Sequence, residues 1–224
     1  MGRPMLPIHK SVSEFDYIVV GSGSSGCVLA ARLSEDPEIT VCLLEAGAHD
    51  NSILIRTPAL AAVLLPRRIF NWGFETVPQP GLNGRRGYQP RGRALGGSSA
   101  INAMVYTRGH ADDYNDWERM GNAGWGYAGV LPYFRRAENN ERGADDFHGT
   151  GGPLNVADVR SGLDAASRAF IDSAAATGVR RNADFNGAAQ EGVGFYQVTM
   201  KDGVRCSAAR AYLSLAARRP NLAV

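Results

Sequence analysis

A glycine-rich turn followed by an acidic residue is the part of this sequence best equipped for chemistry. The turn, residues 21–26, reads Gly-Ser-Gly-Ser-Ser-Gly, and it lies between an apolar run at 18–20 and a stretch of small residues that suits a helix. A second apolar run at 41–44 leads into Glu45. A strand, a G-x-G-x-x-G turn that opens a helix, and a second strand that ends in an acid together form the dinucleotide-binding βαβ fingerprint.

Each residue of this fingerprint has a physical task. Gly21 permits the tight turn out of the strand, Gly23 lets the backbone approach a pyrophosphate, and Gly26 lets the helix lie close to the sheet. The free N–H groups and partial positive charge of the helix N-terminus favour an anionic diphosphate. Glu45 can accept a hydrogen bond from a ribose 2′-hydroxyl and would repel a 2′-phosphate, which argues against an NADP-type ligand. The alternative is a glycine-rich turn in an α/β protein that binds no nucleotide.

A second stretch with ligand-binding character covers residues 92–115. It begins Gly-Arg-Ala-Leu-Gly-Gly-Ser-Ser over 92–99, and an apolar run that suits a helix follows. Adjacent glycines and hydroxyls at this point indicate backbone pressed against a ligand, with a helix starting within 97–106. The alternative is a glycine turn in which Ser98 or Ser99 caps that helix.

The composition is that of an ordinary globular protein. Of 224 residues, 44% are hydrophobic and 21% are charged, and the net charge of +2 gives no reason to expect a nucleic acid or an acidic partner. No apolar run reaches the length of a membrane span, and residues 1–14 lack the apolar segment of a secretory signal, so they are predicted to be a disordered tail. The three cysteines show neither disulfide nor metal-ligand spacing. We therefore expect no metal site and a cytoplasmic location.

The two stretches together resemble the glucose–methanol–choline (GMC) oxidoreductase family, whose members depend on FAD. Residues 92–115 match the family's first signature at nearly every constrained position. Three further segments look like family segments, namely 71–79, 148–154 and 205–222. The resemblance covers residues 15–224 and is closest to the bacterial choline dehydrogenase and FAD-dependent alcohol dehydrogenase branch.

The resemblance implies an α/β fold. A Rossmann-like FAD-binding βαβ domain would be interleaved with an α+β substrate domain (antiparallel sheet plus helices), with the C-terminal part absent. The FAD-binding domain is predicted at 15–155, with the βαβ core at 15–47 and a flavin-wrapping segment at 48–110. The start of the substrate-binding domain is predicted at 156–206, and 207–224 would return to the FAD-binding domain and end in a strand.

Two helical regions are predicted from the sequence pattern in the second half of the chain. Residues 112–141 have a polar helical pattern. A later helix is predicted to end before Gly178 and to bury one apolar face, formed by Leu163, Ala166, Phe170 and Ala174.

The resemblance also implies cofactor-binding positions, residue by residue. The first motif would hold the AMP end of FAD, and residues 102–105 would approach the flavin. Arg93 is either a counter-charge near the diphosphate or part of a solvated loop face. The predicted cofactor-binding residues are Gly21, Gly23, Ser24, Ser25, Gly26, Glu45, Ala46, Trp72, Arg93, Leu95, Gly97, Ser98, Asn102, Ala103, Met104 and Val105.

The function that the resemblance implies is FAD-dependent oxidation of an alcohol, with hydride transfer from the alcohol carbon to flavin N5. The proton-abstracting histidine of the family lies near its C-terminus, so no catalytic residue is predicted in this chain. Its four histidines are expected to be solvated or packed in loops. Some family members attach FAD covalently through a histidine in the second motif, and the aligned position here is Ile101, so non-covalent FAD is expected.

Two alternative functions stay open. One is a lyase of the hydroxynitrile-lyase type, which binds FAD without using its redox chemistry, and the other is a truncated, catalytically inactive FAD-binding module. The expected partners are a small-molecule alcohol and an electron acceptor, which would be a quinone, oxygen or another carrier. No transmembrane segment is expected, while peripheral contact of the full-length protein with the inner membrane is left open.

Overall fold

The computed structural model describes residues 14–159 and 164–224. The predicted disordered tail, apart from Glu14, lies outside the described residues. The described chain divides into two compact units. The first contains the described residues up to Ala103 together with Asp202–Val224, and the second is Met104–Lys201. Both units mix helices and strands, so the α/β character predicted from the sequence is confirmed.

Short regular elements joined by loops make up both units. The strands, in chain order, are β1 (Tyr17–Val20), β2 (Val41–Leu44), β3 (Phe74–Glu75), β4 (Tyr88–Gln89), β5 (Val105–Tyr106), β6 (Glu138–Asn140), β7 (Leu154–Val156), β8 (Gln197–Val198), β9 (Met200–Lys201), β10 (Val204–Arg205) and β11 (Leu222–Ala223). The α-helices are α1 (Ser24–Leu33), α2 (Ile53–Arg56), α3 (Ala61–Leu64), α4 (Ala111–Arg119), α5 (Tyr127–Ala137), α6 (Ala165–Ala176) and α7 (Ser214–Ala216). Short 3-10 turns cover Pro58–Leu60, Pro80–Leu82 and Gly97–Ala100, and a π-helical turn covers Ala209–Leu213.

The first unit is built around a parallel three-stranded sheet in the order β1-β2-β11. Tyr17 pairs with Val41 on one side of β2, and Leu222 pairs with the same residue on the other side. The Asn221 amide holds β11 in place by donating a hydrogen bond to the carbonyl oxygen of Ile39 at 2.7 Å. The strand predicted at the end of the chain is therefore present, beside the second strand of the βαβ fingerprint.

Helix α1 packs closely against β1 and β2 because its buried residues are small. These buried residues are Gly26, Cys27, Ala30 and Ala31. A side chain at Gly26 would overlap the carbonyl oxygen of Gly21, so only glycine permits this approach. Burial raises the pKa of the Cys27 thiol to about 12, so Cys27 is an inert packing group.

The helix predicted to start within 97–106 is not formed. The chain makes the 3-10 turn Gly97–Ala100 and then the short strand β5. The serine hydroxyls explain the difference, because they bond to backbone groups outside any helix: Ser98 Oγ accepts from the Gly92 N–H at 3.1 Å, and Ser99 Oγ accepts from the Ala208 N–H at 2.9 Å. Both hydroxyls are thus bonded to backbone outside the predicted helix instead of capping it, and the chain leaves the helical path after the 3-10 turn.

The second unit contains the antiparallel pair β5–β8, the parallel pair β6–β7, and helices α4, α5 and α6. The continuous helical pattern at 112–141 is two helices, with residues 120–126 between them and β6 after them. The apolar face predicted for α6 is wrong, because Phe170 is 71% exposed and Ile171 is the buried residue; Leu163 lies outside the described residues. Helix α6 does end before Gly178, whose φ is +94°.

The two compact units divide the chain after residues 103 and 201. The predicted functional domains have their limits at 155 and 206, and these limits stay a prediction, because a compact unit is defined by packing alone. Of the helices in the described ranges, none combines the length and apolar composition needed to cross a bilayer.

Candidate cofactor-binding site

The turn between β1 and α1 leaves open space where a ligand backbone would lie. Gly21 has a φ of +92°, a left-handed conformation that favours glycine, and its N–H donates to the carbonyl oxygen of Leu44 at 2.7 Å. A Cβ added to Gly23 would have no atom within 4 Å, and no side chain caps the helix that follows. Ser24 and Ser25, in the first turn of the helix, are exposed. The N-terminus of the ten-residue helix α1 is thus accessible to an anionic group such as a diphosphate.

Glu45 is held beyond the end of β2 by hydrogen bonds from the glycine turn. Its Oε2 accepts from the Ser22 N–H at 2.8 Å and from the Ser22 hydroxyl at 2.6 Å, and its Oε1 accepts from the Gly47 N–H at 2.7 Å. A carboxylate offers about four acceptor positions, so capacity remains for one ribose hydroxyl. Glu45, which its spacing predicts as a ribose ligand, therefore also accepts hydrogen bonds that stabilise the glycine turn.

The second glycine motif packs directly on the first. Gly97 has a φ of +53°, and a Cβ added to it would lie 2.7 Å from the Cα of Gly23. The Gly96 N–H donates to the carbonyl oxygen of Ser22 at 2.8 Å. The two stretches that the sequence singles out are thus parts of one site. We call this site the glycine cradle, and it consists of residues 21–26, 45–47 and 93–98.

Arg93 and Trp72 lie at the edge of the glycine cradle. A side chain at Gly47 would overlap the backbone of Arg93, and the Arg93 Nε donates to the carbonyl oxygen of Ala46 at 3.3 Å. The guanidinium carbon lies 4.6 Å from the centroid of the Trp72 ring, and both side chains are exposed. An accessible positive charge therefore lies beside Ala46, the residue that follows Glu45. Both roles predicted for Arg93, a counter-charge near the diphosphate or part of a solvated loop face, stay predictions.

Leu95 and Ser98 hold the second motif to its neighbours. The Leu95 N–H donates to the carbonyl oxygen of Ala48 at 2.9 Å, and the Ser98 hydroxyl accepts from the N–H of Gly92. Ser98 is exposed and Leu95 is partly buried. Both residues shape the backbone of the glycine cradle, and their contact with a cofactor stays a prediction.

The predicted flavin-facing residues are divided between the two units. Asn102 and Ala103 are exposed members of the first unit, whereas Met104 and Val105 begin the second. Met104 has a φ of +62°, and its carbonyl oxygen accepts from the Thr199 N–H at 2.8 Å. The structure thus groups only Asn102 and Ala103 with the unit that contains the glycine cradle.

A buried ionic cluster lies in the second unit and was not predicted from the sequence. The His148 side chain is 3% exposed; its Nδ1 lies 3.1 Å from Glu138 Oε1 and its Nε2 lies 2.8 Å from Asp184 Oδ2. Arg108 Nη2 donates to the same Glu138 oxygen at 2.9 Å. The two carboxylates are 10 and 36 residues away from His148 in the chain, so spacing alone gave no signal.

The charges of this cluster keep His148 protonated. Burial alone would lower the pKa of His148, but hydrogen bonds to Asp184 and Glu138, together with their charges, raise this pKa to about 9. The same contacts lower the pKa of both carboxyl groups, against the effect of burial. An imidazole that already holds its proton cannot act as a base at neutral pH. His148 is therefore a packed structural cation.

The glycine cradle defines a parallel α/β unit of the class that binds nucleotide cofactors. Residues 15–224 match the family model described as GMC oxidoreductase, and the chain belongs to the GMC oxidoreductase family. The family membership predicted from the motifs is confirmed. The family depends on FAD, and the open space at Gly23 and the spare acceptor position on Glu45 fit this cofactor. Within the described ranges there is no group of His, Cys, Asp and Glu side chains arranged to hold a metal ion.

Known proteins of this family include close relatives of the chain. It is 50% identical over 209 residues to the alcohol dehydrogenase (acceptor) of Pseudomonas putida, covering 93% of this chain and 38% of that protein. It is 49% identical to the oxygen-dependent choline dehydrogenase of Vibrio vulnificus, covering 93% of this chain and 37% of that protein. The crystal structure of pyridoxine 4-oxidase from Mesorbium loti superposes with a TM-score of 0.88 at 39% identity, covering 93% of this chain and 41% of that structure. The chain thus spans about two fifths of the length of these relatives.

Proposed function

We propose that this chain is the N-terminal, FAD-binding portion of an oxidoreductase that oxidises an alcohol to an aldehyde or ketone. The observation that carries the proposal is the packing of Gly97 on Gly23, which joins both motifs beside the Glu45 carboxylate. Such a cradle suits a diphosphate and an adenosine ribose together. The relatives described above are named for alcohol and choline as substrates, which supports a CH–OH donor.

The residues of the chain would divide the binding of FAD between them. The N-terminus of α1 and the bare backbone at Gly23 would hold the diphosphate, because N–H groups and a partial positive charge are available there. Glu45 would accept the ribose hydroxyl, and Asn102 with Ala103 would border the flavin end. When bound, FAD supplies the ring that takes up a hydride from the alcohol carbon.

The proton of the alcohol needs a base, and the histidines described here do not suit that role. His148 is a buried cation, and His110 caps helix α4, where its Nδ1 accepts from the Asp112 N–H at 3.3 Å. His49 is exposed in the loop after β2. We assign the base to the part of the full-length protein outside this chain.

We further propose that the cofactor is not covalently bound. Ile101 occupies the position through which some family members attach FAD covalently, and its side chain is 1% exposed, packed with Ile55, Leu64 and Ala94. An aliphatic side chain in a closed core offers no attachment point. The three cysteines are free, which suits the proposed cytoplasmic location, and the proposed partners are a small alcohol and an external electron acceptor.

The proposal is tested with the purified full-length protein. We expect a flavin absorption spectrum, release of FAD into the supernatant on acid or heat denaturation, and reduction of a dye or of oxygen with members of an alcohol panel. Flavin fluorescence that stays with the protein band on a denaturing gel would contradict non-covalent binding. A colourless protein would contradict the FAD site, and a yellow protein that turns over no alcohol would favour the lyase alternative.

A further inference from the structure

Arg205 has an environment that its place in the sequence does not suggest. Among the described residues it is the largest fully buried side chain, with 1% of its surface exposed. Its Nε donates to the carbonyl oxygen of Ile55 at 2.9 Å. Its Nη1 donates to the carbonyl oxygen and the Oδ1 of Asn102 at 2.7 and 2.9 Å, and to the carbonyl oxygen of Ser99 at 3.2 Å. All of these acceptors are electrically neutral.

No carboxylate pairs with this guanidinium within the described residues. Its Nη2 has no hydrogen-bond partner there, and Asp50, which contacts the same segment, accepts instead from the Ser207 hydroxyl at 3.2 Å. Burial lowers the pKa of Arg205 to about 10, which leaves the side chain charged at neutral pH. A buried charge that lacks an opposite charge is costly, and none of the described residues of the first unit supplies an opposite charge to Arg205.

Three of the four bonds of Arg205 go to the end of the second glycine motif, and the fourth goes to Ile55. Arg205 donates two hydrogen bonds to Asn102, and it holds the turn before Asn102 by donating to the carbonyl oxygen of Ser99. Ala208, three residues after Arg205, also stabilises this turn, because its N–H donates to Ser99 Oγ at 2.9 Å. The orientation of the Asn102 side chain therefore depends on Arg205.

We propose that Arg205 is a positioning residue for the flavin end of the cofactor site, which fixes Asn102 and supplies a positive charge that favours negative charge on the bound flavin. The inference rests on the proposed FAD site. Arginine suits the role because its planar guanidinium donates in several fixed directions at once and stays charged when buried. In a poorly solvated interior, such a charge acts on neighbouring groups far more strongly than it would in water. Reduction, which adds negative charge to the cofactor, is thereby favoured.

The test compares the bound flavin in variants of the full-length holoenzyme. The variants are Arg205→Gln, Arg205→Lys and the control Arg210→Gln, which removes the same charge from an exposed position in the same segment. Two quantities are measured, the midpoint potential of the bound FAD and the dissociation constant for sulfite, an anion that adds to the oxidised flavin. We expect a more negative potential and about tenfold weaker sulfite binding in Arg205→Gln. Arg205→Lys keeps the charge and should stay near the wild-type potential, and Arg210→Gln should not differ from wild type.

A further variant, Asn102→Asp, tests the inference in the case that Arg205→Gln does not fold. Asn102→Asp keeps the shape of the side chain and places a carboxylate against Arg205, so it neutralises the charge without removing the guanidinium. We expect it to shift the potential in the same negative direction. An unchanged potential in Asn102→Asp, or in folded Arg205→Gln, would overturn the inference, as would an Arg205→Lys variant with the full shift. A wild-type protein that binds no FAD would instead refute the proposed function.

Discussion

The glycines of the glycine cradle differ in why a side chain would not be tolerated there. At Gly26 the carbonyl oxygen of Gly21, and at Gly97 the Cα of Gly23, occupies the space that a side chain would need, whereas at Gly23 that space is open. Substitution at Gly26 or Gly97 should therefore disturb the fold itself. Substitution at Gly23 should leave the fold intact and affect only what binds there.

We predict that Gly23→Val folds but loses FAD. A Cβ at this position would have no protein atom within 4 Å, and the valine side chain would occupy the proposed path of the diphosphate. The measurement is the flavin-to-protein absorbance ratio of the purified full-length protein, together with its thermal unfolding. Gly81→Val is the matched control, because a Cβ at the exposed Gly81 also meets no atom within 4 Å and should leave the ratio unchanged. A Gly23→Val protein that purifies fully yellow would exclude a diphosphate at this turn.

We predict that Glu45→Ala weakens FAD binding by about 1–3 kcal/mol, because a ribose hydroxyl would lose its acceptor. The same change removes the acceptor for the Ser22 hydroxyl and for the Gly47 N–H, so the turn itself should also be less stable. The FAD dissociation constant is measured by titration of the apoprotein. Glu35→Ala, which removes an exposed acid paired with Arg32, serves as the control. Equal FAD affinity in both variants would count against the ribose role of Glu45.

Among the elements, the three-residue strand β6 of the second unit contributes the central carboxylate of the buried ionic cluster. It begins with the fully buried Glu138, whose carboxylate is bonded to Arg108, His148 and the N–H of Gly149. Asp184 contacts the same imidazole from a later loop. These charges join one strand, two loops and the chain after β5. Arg108, Glu138 and His148 are buried and Asp184 is partly exposed, and the protonation states of the cluster control how firmly these segments are joined.

We predict that His148 makes stability depend on pH. Its pKa is about 9 in the folded protein against an ordinary value of 6.5 for histidine, so the folded state binds this proton more tightly than the unfolded state does. The stabilisation is complete below pH 6.5 and is lost as the pH rises from 6.5 to 9. At acid pH the effect of the carboxylates is opposite: their pKa values are lowered, so their contribution is lost as the pH falls below the ordinary range of Asp and Glu.

The measurement for this prediction is the unfolding temperature of the full-length protein as a function of pH. His148→Gln should lower the stability by about 3 kcal/mol near pH 6, because two carboxylates lose a buried partner. The decline between neutral pH and pH 9 should be shallower in this variant. The control is His49→Gln, which changes an exposed histidine and should keep the wild-type profile. Parallel profiles for wild type and His148→Gln would contradict the prediction.

At the scale of the whole molecule, the sheet next to the glycine cradle exposes much apolar surface. Ile18, Val20 and Leu44, all on β1 and β2, are 61%, 83% and 51% exposed. The chain covers 38% of the length of its Pseudomonas putida relative. Exposed apolar strand residues of this kind favour association with other protein surface, so the remainder of the full-length protein is expected to matter for solubility as well as for chemistry.

We predict that residues 1–224 expressed alone do not oxidise alcohols. Without a general base the rate should fall by about 10²–10⁴, and an incompletely enclosed flavin should bind more weakly. The assay is dye reduction with several primary alcohols after addition of FAD, with the full-length protein as the reference and light scattering as a measure of aggregation. Turnover near the full-length rate would mean that the active site lies within these residues.

The sequence by itself determined the parts of this protein whose information is local. A strand, a glycine turn, a helix and a strand ending in an acid are specified within thirty residues or so by residue size, backbone freedom and periodicity. The first fingerprint and the last strand could therefore be predicted, as could the family.

Only the tertiary structure decided which distant groups meet. The packing of Gly97 on Gly23, the burial of His148 between two carboxylates, and the bonds of Arg205 to Asn102 join residues that are far apart in the chain. The same reason explains the failures: the Ser99 hydroxyl accepts from the backbone of Ala208, 109 residues away in the chain, where the sequence pattern predicts a helix cap, and Phe170 is exposed because packing buries Ile171 instead. Long-range contacts depend on how whole elements pack, and no local pattern encodes which partner satisfies a buried polar group.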